Sequence, residues 1–283
     1  MQKTLSWSEN ARTRSTVLIN RSVRAATARL TPGLRQLYTP SEKTVEAAQK
    51  RELTVFSCPL GHNVCVTLHG VIVHNVILDW SGTLVDDLTP VLKTTNHVLE
   101  SCGLTALSRE EFRAQFCLPI RKFYERRVPH VPQARLEQIF LAEYPKHHAE
   151  ITLLPHTLEF LHFCQQRRMG VYVASTVDAH TYETQMTRFG IGCYITKPYI
   201  GIEDKTSKIH HILDENRLDR DETMFVGDME HDVEAGQAGG IRTCAVLTGY
   251  NPLDKLRAMN PDLICRHLGE LQEFIAAREV VRG

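Results

Sequence analysis

Short apolar runs that alternate with longer, helix-sized segments constrain the fold of this chain more than any other feature. Each run has the length of one strand, and the segments between them carry apolar side chains at helical spacing. Strands that alternate with helices form right-handed crossovers and build a parallel sheet. The sequence therefore predicts an α/β fold, with strands in the run ending at Leu78 and at Val171 to Ala174, Cys193 to Thr196, Met224 to Val226 and Thr243 to Leu247.

Polar side chains stand where three of these strands end. Asp79 follows the first strand, Ser175 the second, and Asp228 the fourth. Because parallel strands share a carboxyl edge, where ligands bind in such sheets, we expect the three side chains to lie close together.

The interval between the first and second strands, 90–154, is too long for one crossover helix. Ser108 and Glu111 form a capping-box pattern, which predicts the start of a helix. Further start signals are Thr89 with Pro90, Pro119 and Pro132, and Gly103 is a stop signal. We therefore predict an α-helical cap at 90–154, inserted into a core formed by 71–89 and 155–283.

The N-terminal part has a different composition. Residues 1–50 are rich in Arg, Ser and Thr and weak in apolar periodicity, so we predict a poorly ordered extension. An alternation of apolar and polar residues predicts a small β segment within 51–70. This segment also contains cysteine and histidine side chains of the kind that bind zinc: Cys58, His62, Cys65 and His69. Their spacing matches no zinc knuckle.

Charge and composition exclude several classes of protein. The 33 Lys and Arg balance the 33 Asp and Glu, but residues 1–36 carry a net charge of +6, which leaves −6 on the remainder. An acidic body argues against nucleic-acid binding, and no apolar stretch is long enough to span a membrane. Eight cysteines without a CxxC pair indicate reduced thiols. We expect a cytoplasmic protein; organelle targeting through the basic arm is the alternative.

Four motifs in order resemble the haloacid dehalogenase superfamily, in the branch with a helical cap that includes phosphoglycolate phosphatase and phosphonoacetaldehyde hydrolase. They are Asp-x-x-Gly-Thr-Leu-Val-Asp at 79–86, Ser175 at a strand end, Lys205 opening a helix, and Gly-Asp-x-x-x-Asp at 227–232. The resemblance implies a Rossmann-like core and a phosphohydrolase that uses Mg²⁺ and acts on a small phosphorylated or phosphonate substrate. The oligomeric state stays open.

The chemistry of the motif residues supports that interpretation. The Asp79 carboxylate can attack phosphorus and form an aspartyl-phosphate. Mg²⁺ prefers oxygen ligands, and Asp79, the backbone carbonyl of Ser81, and Asp228 can hold it, with Asp232 as a ligand or supporting partner. Lys205 supplies a cation for the nucleophile and the developing charge, with Lys208 as the fallback.

A second group of residues is predicted to bind the phosphate. Ser175 can donate a hydrogen bond to it, as can the turn after the nucleophile at Gly82 and Thr83 and the neighbouring Thr176. From the cap, we predict contacts by Arg121 and Lys122, whose positive charges would select an anionic substrate.

Ser81 departs from the phosphatase pattern, which has an aspartate at this position as acid and base. General acid–base catalysis contributes about 10² to 10⁴ in rate, so its loss would slow monoester hydrolysis. Three hypotheses follow: a phosphoglycolate-phosphatase-like hydrolase, phosphonate C–P cleavage through an imine on Lys122, or a catalytically weak phosphoacceptor. Dehalogenation of carbon substrates would leave Asp228 and Asp232 unexplained.

Overall fold

The computed structural model describes residues 72–279 and two strands at 53–57 and 64–68. The predicted extension at 1–50 lies outside the described residues, as do Cys58, His62 and His69. The chain divides into two units, Met1–His69 and Gly70–Gly283.

The first unit contains a two-stranded antiparallel sheet. Strand β1 (Leu53–Ser57) pairs with β2 (Val64–Leu68), so that Val55 lies opposite Val66. The backbone thus forms strands where the alternation of apolar residues predicts a β segment.

The second unit is built on a six-stranded parallel sheet, which confirms the predicted α/β, Rossmann-like fold. Its strands are β3 (Asn75–Leu78), β6 (Gly170–Ala174), β7 (Lys197–Tyr199), β8 (Thr223–Gly227), β9 (Arg242–Val246) and β10 (Leu263–Cys265). They lie in the order β10-β9-β8-β3-β6-β7, with parallel pairing throughout. The central strand β3 is therefore flanked by β8 and β6.

The sequence prediction fails at the two edges of this sheet. Cys193 to Thr196 is not a strand: Gly192–Tyr194 forms a 3₁₀ turn, and the edge strand is Lys197–Tyr199. Lysine and proline are typical of edge strands because one side makes no ladder, so this strand lacks an apolar run. The other edge strand, β10, was not predicted, because its three residues are too few for a periodic signal.

Helices separate the strands along the chain, as the alternating pattern predicts. The helix Ala179–Phe189 is followed by Gly190, which adopts φ 65°. None of the helices in the described part of the chain is both long and apolar enough to cross a membrane. The helices of the core are α5 (Thr157–Gln166), α6 (Ala179–Phe189), α7 (Lys205–Glu215), α8 (Glu230–Ala238), α9 (Leu253–Ala258) and α10 (Leu268–Glu279).

A helical insertion leaves the core between two short strands. Strand β4 (Val85–Asp86) pairs antiparallel with β5 (Thr152–Leu153), which closes the base of the insertion. The capping box of Ser108 and Glu111 forms as predicted. The helices are α1 (Leu88–Ser101), α2 (Arg109–Gln115), α3 (Ile120–Arg127) and α4 (Gln133–Glu143), followed by a 3₁₀ segment, Tyr144–Glu150.

Two leucines on one helix test where the core lies. On α5, Leu161 is 0% exposed and Leu158 is 47% exposed. We expect Leu161→Ala to lower the free energy of unfolding by about 2 to 5 kcal/mol, because it leaves a cavity. The matched control Leu158→Ala should change it by about 1 kcal/mol or less. Urea unfolding followed by circular dichroism measures both, and equal losses would contradict the assigned core.

Candidate active site

The predicted nucleophile lies at the carboxyl end of the central strand. The backbone N–H of Asp79 donates to the carbonyl of Val226 at 2.9 Å, which continues the pairing of β3 with β8 by one residue. The Asp79 side chain is buried, and this burial raises its pKa against the opposing effect of Lys205. The carboxyl group therefore needs a nearby cation to act as a nucleophile.

Lys205 is such a cation. Its Nζ donates to Asp79 Oδ1 and to Asp232 Oδ1, each at 2.6 Å, and the side chain is buried. Burial acts to lower the pKa of Lys205, but the two carboxylates outweigh it, so the pKa is raised and the ammonium stays charged. The fallback, Lys208, instead lies with its Nζ 6.0 Å from the centre of the Tyr199 ring.

Asp228 is held by neutral donors. Thr83 Oγ1 donates to Oδ1 at 3.0 Å, and the backbone N–H of Tyr250 donates to Oδ2 at 2.7 Å. Burial and the charges of Asp79 and Asp232 raise the pKa of Asp228 well above its usual range. This carboxylate is thus the least compensated charge of the group.

Two glycines let the chain pass close to Asp228. A Cβ at Gly249 would lie 2.1 Å from Asp228 Oδ2, and one at Gly82, which has φ +76°, would lie 2.5 Å away. Since such distances exclude any side chain, both positions require glycine.

The donor set fits a hard divalent cation. One carboxylate oxygen from each of Asp79, Asp228 and Asp232 lies within 4.8 Å of the others, and all three residues are buried. Buried carboxylates that close repel one another unless positive charge is present, and Mg²⁺ prefers such oxygen ligands. These residues can therefore hold Mg²⁺, as the sequence predicts.

The structure brings several predicted phosphate ligands to the same edge. Ser175 is buried directly after β6, the neighbour of β3, and its Oγ accepts from Val177 N at 3.3 Å. Gly82 and Thr83 lie in the turn after Asp79, but their donors are engaged within the protein: Gly82 N–H donates to the Val85 carbonyl at 2.8 Å, and Thr83 Oγ1 donates to Asp228. Thr176 is exposed.

The two predicted cap residues, Arg121 and Lys122, both have exposed side chains. The side chain of Arg121 is 62% exposed, and its Nε lies 3.6 Å from a carboxylate oxygen of Glu125 on the same helix. Lys122 is exposed as well. Their outward position follows from the helix, because α3 turns Phe123 and Tyr124 toward the apolar interior of the insertion.

Asp87 and Tyr250 belong to the site, although the sequence does not predict them there. Asp87 is buried and accepts a hydrogen bond from Tyr250 Oη at 2.9 Å. Burial raises the pKa of Asp87 to about 6, although the hydroxyls of Ser81 and Tyr250 oppose the shift. The adjacent acidic pair Asp86 and Asp87 was a signal, but the sequence does not show which of them is buried.

Trp80 anchors the turn between Asp79 and Ser81. Its indole is fully buried, and Nε1 donates to Oε1 of Gln185 on α6. The Tyr182 ring packs edge-on against it, with ring centroids 4.6 Å apart. Buried contacts of Trp80 therefore attach the turn to helix α6.

Comparison with known proteins identifies the family. Residues 76–246, more than half of the chain, match the family model described as haloacid dehalogenase-like hydrolase. The chain belongs to this family. The resemblance carried by the four motifs is thus confirmed, and this hydrolase is an enzyme, as predicted.

The curated relatives cover most of the same region. Pyrophosphatase PpaX of Oceanobacillus iheyensis is 22% identical over 206 residues, which are 70% of this chain and 95% of that protein. Phosphoglycolate phosphatase of Synechococcus elongatus is 24% identical over 204 residues, which are 71% of this chain and 96% of that protein. A haloacid dehalogenase-like family hydrolase from Streptococcus pneumoniae superposes with a TM-score of 0.62 at 19% identity, over 71% of this chain and 98% of that one. This last likeness shows a shared fold.

The raised pKa of Asp87 predicts a pH-dependent stability. The folded-state pKa of Asp87, about 6, lies above the ordinary value for an aspartate. Between these two values the folded protein keeps a proton that the unfolded chain releases, so stability falls as the pH rises from about 4 to above 6. Asp87→Asn removes this penalty. We expect the variant of this hydrolase to be more stable than the parent by about 1 to 3 kcal/mol at pH 7.5, with a smaller gain at pH 5.

Urea unfolding in EDTA at both pH values measures the difference. Asp214→Asn is the control, since that side chain is 74% exposed. An Asp87→Asn variant that is equally destabilised at both pH values would contradict the assignment.

Proposed function

We propose that this hydrolase cleaves a small phosphorylated metabolite through an aspartyl-phosphate formed on Asp79. The observation that carries the proposal is the buried contact of Lys205 with both Asp79 and Asp232, next to Asp228. A buried carboxylate at a strand end, with a fixed ammonium on one oxygen, presents its other oxygen for attack on phosphorus.

Each neighbouring residue has a defined part in this proposal. Lys205 holds Asp79 ionised and orients its carboxylate. Asp79, Asp228 and the Ser81 carbonyl would hold Mg²⁺, while Asp232 keeps Lys205 in place. When bound, Mg²⁺ supplies positive charge that offsets repulsion between the carboxylates and the phosphate dianion.

The substrate class rests on phosphate binding and on the relatives. Ser175 is buried at the end of the strand next to the one that carries Asp79, and we propose that its hydroxyl donates to a phosphate oxygen. Two relatives carry the names phosphoglycolate phosphatase and pyrophosphatase, which supports a small phosphate-containing substrate. We propose that the helical insertion acts as the cap that excludes water.

Phosphonate C–P cleavage gains no support from the geometry. It would require a lysine that forms an imine with the substrate, and for Lys122 the structure shows only an exposed side chain on α3.

Replacement of the nucleophile tests the proposal directly. Asp79→Asn keeps the shape of the side chain but removes the nucleophilic carboxylate, so we expect turnover to fall about 10³-fold or more. Phosphate release from p-nitrophenyl phosphate, acetyl phosphate and pyrophosphate, with Mg²⁺ or with EDTA, measures the loss. The exposed Asp214→Asn serves as the control. Parental turnover by Asp79→Asn would overturn the nucleophile assignment.

Ser81 allows a test by gain of function. Ser81→Asp restores a carboxyl two residues after Asp79, and such a group contributes about 10² to 10⁴ in rate when it acts as acid and base. We expect turnover of an alkyl phosphate to rise at least about tenfold. The increase should be smaller for an aryl phosphate, because its leaving group needs no proton. Ser81→Ala is the matched control, and equal rates for both variants would speak against the idea.

A further inference from the structure

Tyr250 connects the chain that follows β9 to the acidic site. Its backbone N–H donates to Asp228 Oδ2 at 2.7 Å, and the N–H of Asn251 donates to the Asp228 carbonyl at 3.3 Å. The preceding Gly249 packs against the same carboxylate too closely for any side chain. The position of Asp228 therefore depends on the segment 249–251.

The Tyr250 side chain reaches a second part of the site. Its hydroxyl donates to Asp87 Oδ1 at 2.9 Å, and the Ser81 hydroxyl, two residues after the nucleophile, acts on the same carboxyl group by lowering its pKa. Burial raises the pKa of Tyr250, so the hydroxyl keeps its proton and acts as the donor. One residue thus links the loop of Asp228 to the turn of Asp79.

The ring of Tyr250 also packs against helix α2 and the residue that follows it. Its centroid lies 5.0 Å from that of Phe116 and 6.2 Å from that of Phe112, within the apolar cluster of the insertion. Polar contacts flank these rings: Arg113 Nη2 donates to the Asn251 carbonyl at 3.0 Å, and Lys255 Nζ donates to the Phe116 carbonyl at 3.3 Å. Helix α2 is therefore docked on the segment that holds Asp228.

We propose that Tyr250 is a positioning residue that couples the docking of helix α2 to the geometry of the acidic site. With α2 docked, the ring is held, its hydroxyl fixes Asp87, and its backbone N–H fixes Asp228. When α2 departs, the ring loses its apolar contacts and both hydrogen bonds loosen. The catalytic part of this inference rests on the proposed function, since it concerns the rate at Asp79.

Two variants separate the hydroxyl from the ring. Tyr250→Phe keeps the ring and the backbone donor, so we expect kcat to fall about 5- to 50-fold with KM changed less than twofold and with unchanged hydrogen exchange in α2. Tyr250→Leu removes the aromatic contacts as well, so amide exchange in α2 should accelerate at least fivefold. Tyr124→Phe is the matched control, because that buried hydroxyl lies inside the insertion and should leave kcat unchanged.

The outcomes distinguish the inference from the proposed function. Parental kcat in Tyr250→Phe, alongside an inactive Asp79→Asn, would overturn the coupling and leave the proposed function intact. Unchanged α2 exchange in Tyr250→Leu would overturn the docking whatever the reaction is. A lowered kcat in Tyr250→Phe with faster α2 exchange in Tyr250→Leu would establish both parts.

Discussion

The contact of the Lys205 ammonium with Asp79 and Asp232 is the interaction on which the rest of the site depends. Three carboxylates and one ammonium are buried together, and desolvation of each charge is costly unless the partners stay in place. Lys205 compensates two of the carboxylates directly and leaves Asp228 with neutral donors. That imbalance leaves the site with an excess of negative charge, which favours the binding of a cation.

The order of the strands explains how distant parts of the chain supply this site. Strand β3 lies between β8 and β6, so Asp79 and Asp228 leave neighbouring strands at the same edge, and Ser175 leaves the strand on the other side. Lys205 opens α7, and its backbone N–H donates to His231 Nε2 at 3.2 Å, which joins that helix start to the first turn of α8. The rigid sheet thus fixes the spacing of groups that no local segment could hold alone.

The sequence predicts those parts of the molecule whose position follows from local rules. Strand ends place Asp79, Ser175 and Asp228, and helix signals locate α2 at Ser108. Tyr250 and Asp87 could not be predicted in this way, because their contact joins residues 163 positions apart and depends on tertiary packing. The same limit applies to Arg121: a positive charge in a helical segment does not reveal how far its side chain is exposed.

The indole of Trp80 has a consequence for how this hydrolase can be studied. The chain contains two tryptophans, Trp7 and Trp80, and the second lies immediately after the nucleophile, hydrogen-bonded to Gln185. With Trp7 replaced by phenylalanine, tryptophan emission would originate from the turn after Asp79 alone. The protein therefore carries an intrinsic optical reporter beside Asp79, suited to stopped-flow observation of ligand arrival without any added label.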